Sequence, residues 1–104
     1  MKSLAGWALI EQTFPSRAVS SLEKELSATF SELERQVDLL PGKRIAIAVG
    51  SRGISRINEI VRILIEFLKS RNAEPFIVPA MGSHGGATDA GQKEVLRDYG
   101  ITPE

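Results

Sequence analysis

Apolar positions in this chain fall into two kinds of pattern, short unbroken runs and longer stripes at helical spacing. Leu22, Leu26, Phe30, Leu33, Val37 and Leu40 recur at steps of four, four, three, four and three, the spacing of one helix face. Ser20 followed by Glu23 reads as a capping box at the start of that helix, and Pro41-Gly42 stops it. Ile57, Ile60, Val61, Leu64, Phe67 and Leu68 form a second stripe within Ile54–Arg71, with Arg56, Glu59, Arg62, Glu66 and Lys69 turned to water. Asn72 stands where a left-handed residue is wanted after that helix. A third helix is predicted from a Thr88 or Asp89 cap to about Tyr99, stopped by Gly100.

The short runs read as strands. Arg44–Val49 is nearly unbroken, branched and apolar, as expected of a parallel strand covered on both faces. Pro75–Ala80 reads as another. Trp7–Phe14 is rich in strand formers and ends at Pro15, while Glu11 and Gln12 suit an edge position. The predicted order is β-α-β-α-β-α: a small Rossmann-like parallel sheet with right-handed crossovers and helices packed on its faces.

Two phrases stand at matching places in that order. Gly50-Ser51-Arg52-Gly53 and Gly82-Ser83-His84-Gly85 each directly follow a strand-like run and run into a predicted helix, 32 positions apart. Parallel neighbouring strands would bring both phrases to one sheet edge, where open α/β sheets bind ligands. Glycines there let a ligand approach the backbone, and a following helix N-terminus favours anions. Arg52 supplies a charged fork for carboxylate or phosphate, and His84 can hold or move a proton near neutrality. Ser51, Ser83 and Thr88 offer hydroxyls, and Gly86 extends the second glycine run. Beside this stands the plainer account: such glycines often serve the turn alone, and a lone histidine in a small domain is more often a surface residue. Neither loop matches a P-loop or a dinucleotide fingerprint, and Ser83 lacks nucleophile-elbow spacing.

Composition narrows the classes. The chain has 104 residues, enough for one small domain, with 42% hydrophobic and 25% charged residues, a balance that argues against disorder. Thirteen basic and thirteen acidic residues cancel, so no global field recruits nucleic acid or an anionic membrane. Six aromatics with no interleaved basic cluster give a nucleic-acid platform little support. With no cysteine and one histidine, neither a disulfide framework nor a multi-histidine metal site is expected. Glu11 interrupts the N-terminal apolar stretch too early for a signal peptide, and no segment approaches a membrane span. A cytoplasmic α/β domain is the expectation. Ile101-Thr102-Pro103-Glu104 looks like the cap and first turn of another helix, which suggests a fragment of a longer protein.

Three blocks carry a family likeness: Arg44-Ile45-Ala46-Ile47-Ala48-Val49-Gly50-Ser51-Arg52-Gly53-Ile54, then Pro75-Phe76-Ile77-Val78-Pro79-Ala80-Met81-Gly82-Ser83-His84-Gly85-Gly86-Ala87-Thr88, then Tyr99-Gly100-Ile101-Thr102. From Gly42 onward the chain resembles the N-terminal domain of the nickel-dependent lactate racemase superfamily (LarA-like proteins), in the branch once labelled a domain of unknown function. Trp7–Gln12 also looks like the start of that branch. In the racemase, an Asp-x-Thr-Arg phrase contacts cofactor and substrate, and a Gly-Thr-His-Arg phrase carries a catalytic base. By position, Arg52 resembles that arginine and His84 that histidine. The departures are Val49 in place of the aspartate and Gly85 in place of the second arginine.

The resemblance implies one domain, 1–104, at the N-terminal end of an isomerase of small 2-hydroxy acids. His84 would be its acid/base group, and Arg52, Ser51, Gly50, Gly53, Gly82, Ser83, Gly85, Gly86 and Thr88 would hold substrate carboxylate or cofactor phosphate. The family's nickel pincer nucleotide is tethered by a lysine and completed by histidines farther along, so no cofactor is expected within this chain. Racemisation needs a second base on the opposite face and a hydride acceptor, so the isolated chain is expected to be inactive without its C-terminal remainder. The other class of reading is a non-catalytic module that binds phosphate or nucleotide, or docks to a partner. Self-association is left open.

Overall fold

In the computed structural model, which describes residues 6–36 and 41–103, two helices pack on one face of a two-stranded sheet and a third packs against one of them. The elements are α1 (Leu22–Gln36), β1 (Arg44–Val49), α2 (Ile57–Ser70), β2 (Glu74–Pro79), a 3₁₀ turn (His84–Ala87) and α3 (Asp89–Asp98). No helix among the described residues is long and apolar enough to cross a membrane.

β1 and β2 pair in parallel, with Arg44 opposite Glu74, Ile47 opposite Ile77 and Val49 opposite Pro79. The ladder continues one step further, where Ala80 N–H donates to the Val49 carbonyl at 2.8 Å. This pairing ends both strands at the same level, so the two glycine loops leave the sheet side by side. The crossover is α2, whose Ile57, Val61 and Leu68 lie on the sheet with Ile47 and Val49, joined by Met81, Leu96 and Ile101. Ile63 is also buried, a member that the predicted stripe lacked. Asn72 takes the expected left-handed conformation at φ 58°. Gly42 N–H donates to its carbonyl at 2.7 Å, which ties the approach to β1 to the end of α2.

The three-strand order is not formed among the described residues. Trp7–Phe14 is irregular, and Trp7, Leu9, Ile10 and Phe14 are 99%, 101%, 82% and 72% exposed. A strand draws its stability from a neighbouring ladder and from a face to pack on, and this segment has found neither. The expected cover on both sheet faces is likewise half realised. Ile45, Ile47 and Val49 face the helices, but Ala46 and Ala48 are exposed, as is Phe76 opposite Ala46. The Arg44 guanidinium sits 4.8 Å from the centre of the Phe76 ring and shields part of that face.

Helix boundaries shift for local reasons. α1 is capped by Ser21 rather than Ser20: its hydroxyl accepts from Lys24 N–H at 3.4 Å. Leu33 of the predicted stripe is 47% exposed, and Val37 and Leu40 lie outside the described residues. α1 rests on the outer side of α2 rather than on the sheet. Phe30 and Phe67 have ring centroids 5.2 Å apart, and Arg71 donates twice to the Glu34 carboxylate, at 2.5 and 2.8 Å. α2 starts at Ile57, not Ile54, because Arg56 before it adopts a left-handed φ of 57°.

Candidate functional site

The side-by-side exit of β1 and β2 brings the two glycine phrases into contact. Ser51 Oγ lies 2.5 Å from His84 Nδ1, a hydrogen bond across 33 positions of sequence. Ser51 is 7% exposed, and His84 is exposed. One ring nitrogen is therefore turned toward the protein interior and the other lies on the ring's far edge.

Helix α3 holds both loops. The Tyr99 hydroxyl donates to the Ser51 carbonyl at 2.8 Å. Gln92 Nε2 donates to the carbonyls of Gly82 at 2.9 Å and His84 at 3.3 Å. Seven residues separate Gln92 from Tyr99, close to two helical turns, so the two project from one face. His84 N–H is bound to the Met81 carbonyl at 3.2 Å, and Met81 is buried in the core. The imidazole is thus carried on a backbone fixed at several points.

The glycines of the second loop serve this docking. Gly85 has a left-handed φ of 63° and sits against the first turn of α3. A Cβ added to Gly91 would lie 1.8 Å from the Gly85 carbonyl oxygen. Two facing residues without side chains let loop and helix touch through backbone alone. Gly91 and Gln92 carry no sequence signal beyond their place in the predicted helix, while Tyr99 stands at its end and opens the third block of the family likeness.

The other predicted site residues divide by position. Arg52 follows Ser51 at once, is exposed, and has no side-chain hydrogen bond or ion pair among the described residues. Gly53 and Gly82 lie on the exposed rim with left-handed φ of 51° and 60°. Gly50 closes the sheet end, 3.5 Å from the Ala80 carbonyl by its built Cβ. Ser83 and Gly86 are exposed on the second loop. The Thr88 hydroxyl is occupied: it accepts from Gly91 N–H at 3.1 Å as the α3 cap and donates to the Gly85 carbonyl at 3.2 Å. Its neighbour Gln92 N–H bonds the Thr88 carbonyl at 2.9 Å. The first phrase does not run directly into a helix, since Ile54, Ser55 and Arg56 intervene before α2.

The arrangement is an open rim rather than an enclosed cavity. A groove of about 490 Å³ lies elsewhere, between α2 and the Gly100–Thr102 segment, and Ser51, Arg52 and His84 do not line it. Among the described residues no three His, Cys, Asp or Glu side chains gather to bind a metal. Among the described residues the rim carries the Ser51-bound imidazole of His84 and, from the residue after Ser51, an exposed guanidinium without a hydrogen-bond or ion-pair partner, groups of the kind that suit an oxyanion. Compared with protein-family models, curated proteins and solved structures, the chain matches none.

Proposed function

We propose that the Ser51–His84 rim is the substrate- and phosphate-binding half of a lactate-racemase-like isomerase of small 2-hydroxy acids. Arg52 takes the carboxylate through its planar fork. His84 holds or moves the proton at the substrate oxygen, as an acid/base group beside the bound anion. The glycine-loop amides take the remaining negative charge, whether substrate oxygen or cofactor phosphate. The second base and the hydride acceptor belong to the C-terminal remainder of such an enzyme. The single observation that supports this reading is the 2.5 Å contact joining the two loops at the ends of parallel strands.

A non-catalytic anion-binding or docking module is the second reading. It is favoured by the exposed sheet face of Ala46, Ala48 and Phe76. Titration of ¹⁵N-labelled protein with L-lactate, D-lactate and inorganic phosphate separates the two. Both lactates should move the amides of residues 50–54 and 82–88 and leave the α1 amides still. Movement with phosphate alone would select the module, and no movement at either loop would end both readings of this rim.

A further inference from the structure

We infer that Ser51 is a positioning residue that sets the tautomer of His84, so that the neutral imidazole meets its ligand as a hydrogen-bond donor at Nε2. This rests on the reading of the rim as an anion site. A serine hydroxyl carries one proton and must place it. Ser51 is buried, and His84 Nδ1 is the one hydrogen-bond partner of its Oγ among the described residues. Were Nδ1–H to donate to Oγ, the serine proton would be left in a buried position with no acceptor, which costs more than an ordinary hydrogen bond contributes. Ser51 Oγ–H therefore donates to Nδ1, and the ring proton resides on Nε2.

Tyr99 keeps this orientation from drifting. Its hydroxyl fixes the Ser51 carbonyl while Gln92 fixes the His84 carbonyl, so both ends of the 2.5 Å bond are tied to α3. The consequence for recognition is specific. At rest the His84 ring shows an N–H at the rim, so it selects an oxygen acceptor: a carboxylate, carbonyl or phosphoryl oxygen.

His84 is the only histidine of the chain, so its ring spectrum needs no assignment. In ligand-free protein at mildly alkaline pH, where an ordinary imidazole is neutral, long-range ¹H–¹⁵N correlation should show Nε2 protonated and Nδ1 as a hydrogen-bonded imine nitrogen. Ser51→Thr should preserve that pattern, whereas Ser51→Ala should move Nδ1 toward the value of an imine nitrogen with no donor. Carbethoxylation of His84 should accelerate roughly three- to tenfold in Ser51→Ala and stay near wild type in Ser51→Thr, as loss of one hydrogen bond implies. A wild-type spectrum with the proton on Nδ1, or a Ser51→Ala protein unchanged in both readouts, would overturn the inference. These measurements use no ligand, so a failed lactate titration counts against the anion site alone.

Discussion

The Tyr99 hydroxyl reaches across from the end of α3 to the Ser51 carbonyl, 48 positions away in sequence, at 2.8 Å. That bond satisfies a carbonyl on a residue only 7% exposed. Tyr99→Phe keeps the ring and removes the donor. It should cost about 1 kcal/mol in urea unfolding and speed amide exchange at residues 50–54 more than in α1. Unchanged exchange in the first loop would show that the bond does not govern its order.

Gly91→Ala tests the backbone contact between the second loop and α3. In an exposed helix the change stabilises by about 1 kcal/mol. Here the new Cβ would fall 1.8 Å from the Gly85 carbonyl oxygen, and overpacking of this kind costs roughly 1–3 kcal/mol. A lowered urea midpoint is expected, with the largest chemical-shift changes at residues 82–88. A stabilised protein would mean that the loop moves aside freely.

Arg52→Lys tests the fork. The charge remains, but the paired donors that match a carboxylate are lost. Lactate binding should weaken by roughly fivefold, the equivalent of about one hydrogen bond, with stability unchanged because Arg52 is exposed. Equal affinity in the two proteins would remove Arg52 from the site.

Acid should loosen α1 through Glu34. The hydrogen bonds from Arg71 hold the Glu34 carboxyl below the usual glutamate range. A group depressed in the folded state contributes stability above its ordinary pKa and loses it as pH falls through the folded value. The α1–α2 contact should therefore hold at neutral pH and weaken below the ordinary carboxylate range. Glu59, lowered likewise by Arg56, adds its own acid sensitivity, so the comparison with Glu34→Gln isolates the first pair. The difference in melting temperature between the two proteins should shrink toward zero on acidification. A constant difference would remove the ion pair as its cause.

Trp7 is the sole tryptophan and is 99% exposed. Its emission should match that of a free indole, be fully open to iodide, and stay unchanged on unfolding in urea. A blue-shifted, protected emission would show that the N-terminal segment is packed against something.

Much of the fold was legible because its signals are local. The stripe of α2, the branched run of β1, the left-handed Asn72 and the Thr88 cap each depend on residues a few positions apart. Trp7–Phe14 failed as a strand because strand-forming composition supplies no partner, and pairing is settled by residues far along the chain. The two-sided cover of β1 failed for a related reason. An alternation of isoleucine with alanine reads as uniformly apolar, yet only the isoleucines meet a helix. At the rim, the echo of the two loops was enough to bring Ser51 and His84 near one another. The bonds that Gln92 and Tyr99 make to the loops were invisible, because a glutamine and a tyrosine seven apart on a helix have many ordinary explanations.

Because one short helix fastens both loops, they do not stiffen or slacken independently. Its ten residues give it little resistance to fraying on its own. Anything that winds it more firmly from its first turn, at Gln92, to its end, at Tyr99, would brace the imidazole and the serine at one stroke. Anything that unwinds it would let both go together.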